Sequence, residues 1–234
     1  MKTGSIDRGP AASLIARTFA LAAALLLAPA ALAQADQRIL VTDAKLTLAS
    51  FLNDPNMTWL QRNLGEAKAV LIAPSVTRAG FILGGSGGRA VAVARDDKTG
   101  KWIGPAFYTL ATASVGFQAG IAVSEVVTLV MTEKGLNSLL ADSFKLGGDA
   151  SIAAGPVGAG ARSDITADLV AFSRSKGVYA GINLDGTIVN VSEEWNKIYY
   201  GKPTNAADIL LRNNVHNRQA SELLNVVATA AKKK

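Results

Sequence analysis

The chain has 234 residues, of which 49% are hydrophobic and 18% charged, with 24 Lys and Arg against 18 Asp and Glu. That length suits one large domain or two small ones, and the composition supports a substantial core, which excludes a disordered chain. Cysteine is absent, so a disulfide framework, a thiol nucleophile, a Cys-held metal and a lipidated cysteine are excluded as well.

The first 33 residues read as a separate segment. Lys2, Arg8 and Arg17 form a basic start, Phe19 to Ala28 is an apolar run, Pro29 breaks any helix, and Ala31-Leu32-Ala33 is a small-residue cleavage site. These are the features of a secretory signal peptide cut after Ala33. The alternative, a transmembrane anchor, needs about 20 apolar residues, and this run is too short. Cleavage removes Lys2, Asp7, Arg8 and Arg17, taking the 24 basic and 18 acidic residues to 21 and 17, a net charge of +4. A mildly basic exported chain favours acidic partners such as anionic lipid or lipopolysaccharide.

Leu40, Ala44, Leu48 and Phe51 recur at helical spacing, with Thr42, Lys45, Ser50 and Asn53 on the other side and Leu46 out of place among them. Asp54-Pro55 predicts a second helix start, Asp as N-cap and Pro at N1, with Met57, Leu60 and Leu64 facing inward and Gly65 as the stop. Ala69 to Ala73, closed by Pro74, reads as a buried strand. Phe81-Ile82-Leu83 leads into the cluster Gly84-Gly85-Ser86-Gly87-Gly88, expected to be a turn or bulge. Arg89 to Arg95 alternates large residues with alanine and reads as a strand, and Asp96 to Lys101 turns the chain. Phe107 to Phe117 and Val123 to Met131 are further strands. Thr132 caps a helix carrying Leu136, Leu139 and Leu140. Phe144 to Gly160 is a stretch of small residues. Strands are expected over Ile165 to Ser173 and Val178 to Leu184, with a turn at Ser175-Lys176-Gly177 between them. Asp185-Gly186 signals a type I′ hairpin into Thr187 to Val191. Ser192 caps a helix through Trp195, and helices around Ala206 to Arg212 and Ser221 to Ala230 close the chain before a frayed tail, Lys232 to Lys234. Short turns between strands make antiparallel pairs. The expected fold class is therefore α+β: a curved, mainly antiparallel sheet covered by helices, in a single domain.

Six segments carry a family resemblance. They are Ala67-Lys68-Ala69-Val70-Leu71-Ile72-Ala73-Pro74, Arg78 to Gly85, Phe144-Lys145-Leu146-Gly147-Gly148-Asp149-Ala150, Ala153 to Gly158, Ser173 to Gly181, and Tyr199-Tyr200-Gly201. In this order they resemble the SYLF domain, a module of eukaryotic adaptor proteins and of many exported bacterial proteins. The resemblance spans about residues 65–212 and divides the chain into a signal peptide (1–33), N-terminal helices (34–64), the SYLF domain (65–212) and a C-terminal helix with a basic tail (213–234). It implies binding and no catalysis. Eukaryotic members bind phosphoinositides through a basic surface and an adjoining amphipathic helix, and some bind and bundle actin.

The candidate lipid- or phosphate-binding residues are Lys68, Arg78, Arg89, Arg95, Lys98, Lys101, Arg174 and Lys176, with Asp96 and Asp97 as local opposition. Several cations on one face are required, each contributing about 1 kcal/mol near an anionic membrane. Against that stands ordinary solvated charge. The glycine cluster matches G-x-S-x-G, but an esterase needs a helix after Ser86 and a base, and the sole histidine is His216. The same cluster could cradle phosphate through backbone N–H groups, although it lacks the Gly-Lys-Ser/Thr ending of a P-loop. Asp149, Asp164, Asp168 and Asp185 have no metal-ligand spacing. Trp59, Trp102 and Trp195 are expected in the core. The helix from Leu40 to Leu52 either packs on the domain or inserts at a membrane interface.

The function expected is a non-catalytic module for anionic lipid or phosphate head groups, in the periplasm or secreted. No cofactor, no metal, no nucleic acid and no transmembrane segment in the mature chain are expected. The alternative is a protein-interaction or envelope-structural domain. Export predicts a mature N-terminus at Gln34. N-terminal sequencing of the envelope fraction checks it, and an intact Met1 start there rejects it.

Overall fold

The computed structural model describes residues 34–80, 83–115, 120–158, 165–175 and 184–232. The chain divides after Asp36, and apart from the first two residues of the first helix the fold below belongs to Gln37–Lys234. In chain order the elements are α1 (Ala35–Leu52), α2 (Thr58–Asn63), a 3-10 turn (Leu64–Glu66), β1 (Ala69–Gly80), β2 (Leu83–Arg95), β3 (Trp102–Val115), β4 (Gly120–Val130), α3 (Glu133–Leu140), β5 (Ser143–Lys145), β6 (Ile152–Ala154), β7 (Leu169–Ser175), β8 (Ile188–Val191), α4 (Glu193–Tyr200), α5 (Ala206–Leu210), a second 3-10 turn (Arg218–Ala220) and α6 (Ser221–Ala231). The strands form one curled sheet, a half-barrel, in the order β5-β8-β3-β2-β1-β4-β7-β6. Every pair is antiparallel except β6–β7. The expected α+β class with a curved, mainly antiparallel sheet holds.

The core end of the central strands is buried on both faces. Ala69, Leu71 and Ala73 of β1, Ala90, Ala92 and Ala94 of β2, and Ala106 and Tyr108 of β3 face one cluster with Leu136 and Leu139 of α3 and Ile209 and Leu210 of α5. The alternate residues Val70, Ile72, Val91, Val93 and Phe107 face another, covered by Leu48 and Phe51 of α1, Leu60 of α2, Tyr199 of α4, and Leu223 and Val227 of α6. Period-2 alternation sorts the side chains between layers. The alanine-rich face admits short helices close to the sheet. The Tyr108 hydroxyl, pushed well above its ordinary pKa by burial, donates to the Leu139 carbonyl at 2.7 Å.

Pro74 lies within β1 and does not end it. The pairing register shifts there on both sides, between Ile72 and Ser75 against β2 and between Ala73 and Val76 against β4. A bulge is where a strand tolerates a residue without an N–H. It also moves Val76 onto the face that Ala73 uses. The glycine cluster differs from its expected turn. Residues 84–88 are strand, paired with β1 and with β3, as in Arg78↔Ser86↔Thr112. A Cβ on Gly88 would come within 2.5 Å of the Ser75 carbonyl oxygen at the bulge, so the crossing needs glycine.

Other elements shift as well. Asp54 does not cap α2; its carboxylate accepts from the Asn56 N–H at 2.9 Å, and α2 begins only at Thr58. Gly65 lies in the 3-10 turn, where a Cβ would stand 2.6 Å from the Ala231 carbonyl oxygen. Close packing of α6 is therefore its reason, more than helix termination. Ser192 occupies the N-cap position of α4 but makes no side-chain cap bond. The Thr132 cap holds, accepting from the Gly135 N–H at 3.1 Å. The small-residue stretch from Phe144 contains β5 and β6. The turn at Asp185-Gly186 exists, closed by the Thr187 N–H donating to the Leu184 carbonyl at 3.0 Å. Gly186 has φ 79° whereas Asp185 is not in the positive region, so the turn is not type I′. The expected strand over Val178 to Leu184 lies outside the described residues except at Leu184, as does the Lys176-Gly177 turn.

Asp168 fastens three elements. Its carboxylate accepts from Thr132 Oγ1 at 2.6 Å, Ser151 N–H at 2.9 Å and Ser151 Oγ at 2.8 Å, with Lys134 Nζ at 3.5 Å. The Thr132 bond, then those from Ser151, hold its pKa well below the usual carboxylate range. A depressed native pKa contributes stability that is complete above the unfolded value of about 3.9 and is lost as pH falls towards the native one. We expect Asp168→Asn to lower stability at pH 7 by about 1–3 kcal/mol. Its loss of stability below pH 4 should also be shallower than the parent's. Thermal melts of both proteins between pH 2 and pH 7 measure this, and parallel acid limbs reject the role.

Candidate functional site

The seven expected site residues that the structure describes do not form one patch. On β2, Arg89 and Arg95 are six residues apart, about 20 Å along the strand. Arg78 is level with Ser86, further still from Arg95. Arg78 is half-buried. Arg89 is exposed, with its guanidinium 3.9 Å from the centre of the Trp195 ring. Lys68 forms an ion pair with Glu133, whose hydrogen bond raises the ammonium pKa. Arg174 is a structural cation. It makes two bonds to Glu125 Oε2, from Nε at 3.0 Å and Nη2 at 2.6 Å, donates to Ser50 Oγ at 2.8 Å, and lies 3.8 Å from Asp54 Oδ2 and 4.9 Å from the centre of the Phe51 ring. Lys176 lies outside the described residues.

Arg95 and Lys101 do come together, and two residues join them that the sequence did not single out. Arg62 of α2 and Lys232 after α6 line, with Arg95, Gly100, Lys101, Trp102 and Leu224, a groove of about 690 Å³. All four cations are exposed, and Glu66 is the one carboxylate in the lining. Folding supplies the convergence: Arg62, Arg95 and Lys232 are remote in sequence, and only the packing of α6 beside Gly65 brings the tail to the β2–β3 turn. Arg95 Nη1 donates to the Gly65 carbonyl at 2.8 Å, which fixes its position on the groove wall. Lys98 is exposed on the same turn. Asp96 is ionised on the same turn but does not line the groove. Its carboxylate accepts from the Lys98 and Thr99 N–H groups at 2.8 and 3.2 Å, and these bonds hold its pKa below the ordinary value. An adjoining groove of about 560 Å³ shares Arg62 and Asn225 and is walled by Leu52, Val226 and Ala230.

The other readings fare differently. Ser86 is mid-strand with partners on both sides, so it stands on no strand-to-helix elbow, and the cluster's backbone is part of a ladder instead of an open phosphate cradle. Trp59 and Trp102 are buried, while Trp195 is partly buried beside Phe107. Helix α1 packs on the sheet through Val41, Ala44, Leu48 and Phe51 and leaves Ile39 and Leu46 exposed. Among the described residues no helix is long and apolar enough to cross a membrane, and no three His, Cys, Asp or Glu side chains cluster as a metal site would need.

A curled half-barrel sheet with helices on both faces and a cationic groove at one end defines an α+β domain of a single architecture. The family model described as Ysc84, Las17-binding protein actin regulator, matches residues 111–230. The chain belongs to this SYLF family. It is similar to the human SH3 domain-containing YSC84-like protein 1, 28% identical over 186 residues covering 77% of this chain and 54% of that protein. It is also similar to LAS seventeen-binding protein 3 of Saccharomyces cerevisiae, 32% identical over 154 residues, 63% of this chain and 33% of that one. Protein YSC84 of the same yeast is 32% identical over 145 residues, 59% and 31%. The chain thus spans about half the length of the human relative and a third of the yeast ones.

Arg174→Gln separates a structural cation from a binding one. It leaves Glu125 and Asp54 without their guanidinium, and a loss of about 1–3 kcal/mol in stability is expected. Binding of the folded variant to anionic vesicles should equal the parent's. Weaker binding at unchanged melting temperature would return Arg174 to the ligand site.

Proposed function

We propose that the chain is a non-catalytic binding module of the cell envelope whose ligand is the phosphate of anionic lipid head groups, met at the groove of Arg62, Arg95, Lys101 and Lys232. The observation that carries this reading is the convergence of those four exposed cations on one cavity wall, opposed by a single Glu66. Charge of this kind attracts anionic surfaces at about 1 kcal/mol per cation. Membership of a family described by what it binds supports a binding role over a catalytic one. The envelope location rests on the signal-peptide features of the first 33 residues. A second reading, a protein-binding module, has its own support: the matching family is described as Las17-binding, and the adjoining groove walled by Leu52, Val226 and Ala230 offers an apolar seat.

Co-sedimentation of the mature chain with phosphatidylglycerol-containing vesicles is expected to exceed that with phosphatidylcholine alone, and to fall with salt as the Debye length shrinks to about 3 Å at 1 M. Replacing Arg62, Arg95, Lys101 and Lys232 together by Gln should weaken anionic binding by several kcal/mol, with the melting temperature as the folding control. A folded variant that binds like the parent rejects the groove. Indifference to lipid charge rejects the electrostatic mechanism, and a stoichiometric protein partner without vesicle binding favours the second reading.

A further inference from the structure

The far end of the sheet carries a second surface. On the face that α1, α2, α4 and α6 cover lower down, helical cover among the described residues stops near the rung where Arg89 lies over Trp195 and Glu125 is held by Arg174. Beyond it, one rung reads Ile188–Ala111–Gly87–Thr77–Val123 across five strands, and the next reads Ala113–Gly85–Ala79–Ile121 across four. Residues opposite one another in a ladder share a face. All of these are exposed apart from Gly85 and Gly87, which are half-buried; Ile121 is 75% exposed, Val123 43% and Ile188 44%. The surface is thus broad, apolar and shallow, because its inner strand carries glycine.

Its charge is one-sided. From Ala67 to Arg95, and from Lys98 to Ser124, the sequence contains no Asp or Glu. The charged residues at this end of the four central strands are Arg78, half-buried on the opposite face, and, at the border of the bare rungs, exposed Arg89 and half-buried Glu125, whose carboxylate is held by Arg174.

We propose that this end of the sheet docks on an anionic lipid bilayer, with Ile121, Val123 and Ile188 entering the interface and Arg78 and Arg89 meeting phosphates. Apolar side chains flanked by cations, with the bordering Glu125 already answered by Arg174, suit an interface that is apolar within and negative at its surface. A second copy of the chain fits less well. Strands about 4.8 Å apart and same-face residues about 7 Å apart along a strand give a patch of roughly 300 Å², against about 800 Å² per partner in a standard protein interface. A bilayer asks for no matching contour. The inference shares its lipid class with the groove but rests on different residues. Gly87 and Arg95 are eight positions apart on β2, about 26 Å.

The absence of cysteine allows a clean test. Ile121→Cys carries an environment-sensitive nitrobenzoxadiazole label, and exposed Leu211→Cys serves as the control in a second protein. Vesicles of equal parts phosphatidylglycerol and phosphatidylcholine should blue-shift the label at position 121 and leave that at 211 unchanged; phosphatidylcholine alone should shift neither. Ile121→Asp with Val123→Asp, both on an exposed surface, should weaken vesicle binding about tenfold at an unchanged melting temperature. An unshifted label at 121 on protein that sediments with vesicles overturns the proposal and leaves the groove standing. A shift that survives the fourfold groove variant supports the proposal and tells against the groove. A shift that grows with protein concentration in the absence of vesicles overturns it in favour of self-association, and loss of a stoichiometric protein partner in the Asp variant, with vesicle binding intact, overturns it in favour of a protein site.

Discussion

Burial of the same strands on two faces is the constraint on which the rest of the fold depends. A strand wet on one side can carry polar residues there; β1, β2 and β3 cannot at their core end, where Val91, Val93, Ala90 and Ala92 are all fully buried. Each face then needs its own helical layer. The layers are unequal because the side chains are. Alanine on one face lets the short helices α3 and α5 sit close, while Val, Ile and Phe on the other require the longer α1 and α6. The bulge at Pro74 is part of the same arrangement, since the one-residue slip decides which layer receives Val76.

Electrostatics divides the cations by what surrounds them. Arg174 and Lys68 have carboxylate partners at hand, and their charge is answered within the fold. The four groove cations are exposed around a single acidic lining residue. Asp96 shows the same sorting among acids: two backbone N–H groups engage it, so a carboxylate that looks repulsive in sequence stabilises the turn presenting Lys98 and Lys101.

Much of the fold was legible because it is written in local patterns. The alternation from Arg89 to Arg95, the Thr132 cap and the helical stripe of Leu48 and Phe51 each need only neighbours in sequence, and each appears as expected. The glycine cluster misled because glycine is permissive in turns and required at close crossings alike; only the Ser75 carbonyl, thirteen residues before Gly88 on the paired strand, tells which applies. Asp54 and Ser192 illustrate a second limit, since a capping residue type does not guarantee a capping bond. The groove was half legible. Arg95 and Lys101 stand near one another in sequence, but Arg62 and Lys232 reach them only through tertiary packing. Asn196 carried no sequence signal at all, yet its buried side-chain oxygen accepts from the Phe107 N–H at 2.9 Å and joins α4 to β3.

The outermost strands β5 and β6 have three residues each. A sheet this wide ordinarily offers long unpaired edges on which another chain can add a strand. Among the described residues the strands that stand outermost are short, so each of them offers a template about 10 Å long for a further strand. At those two strands a neighbouring copy finds too little backbone to continue the ladder from which fibrils extend.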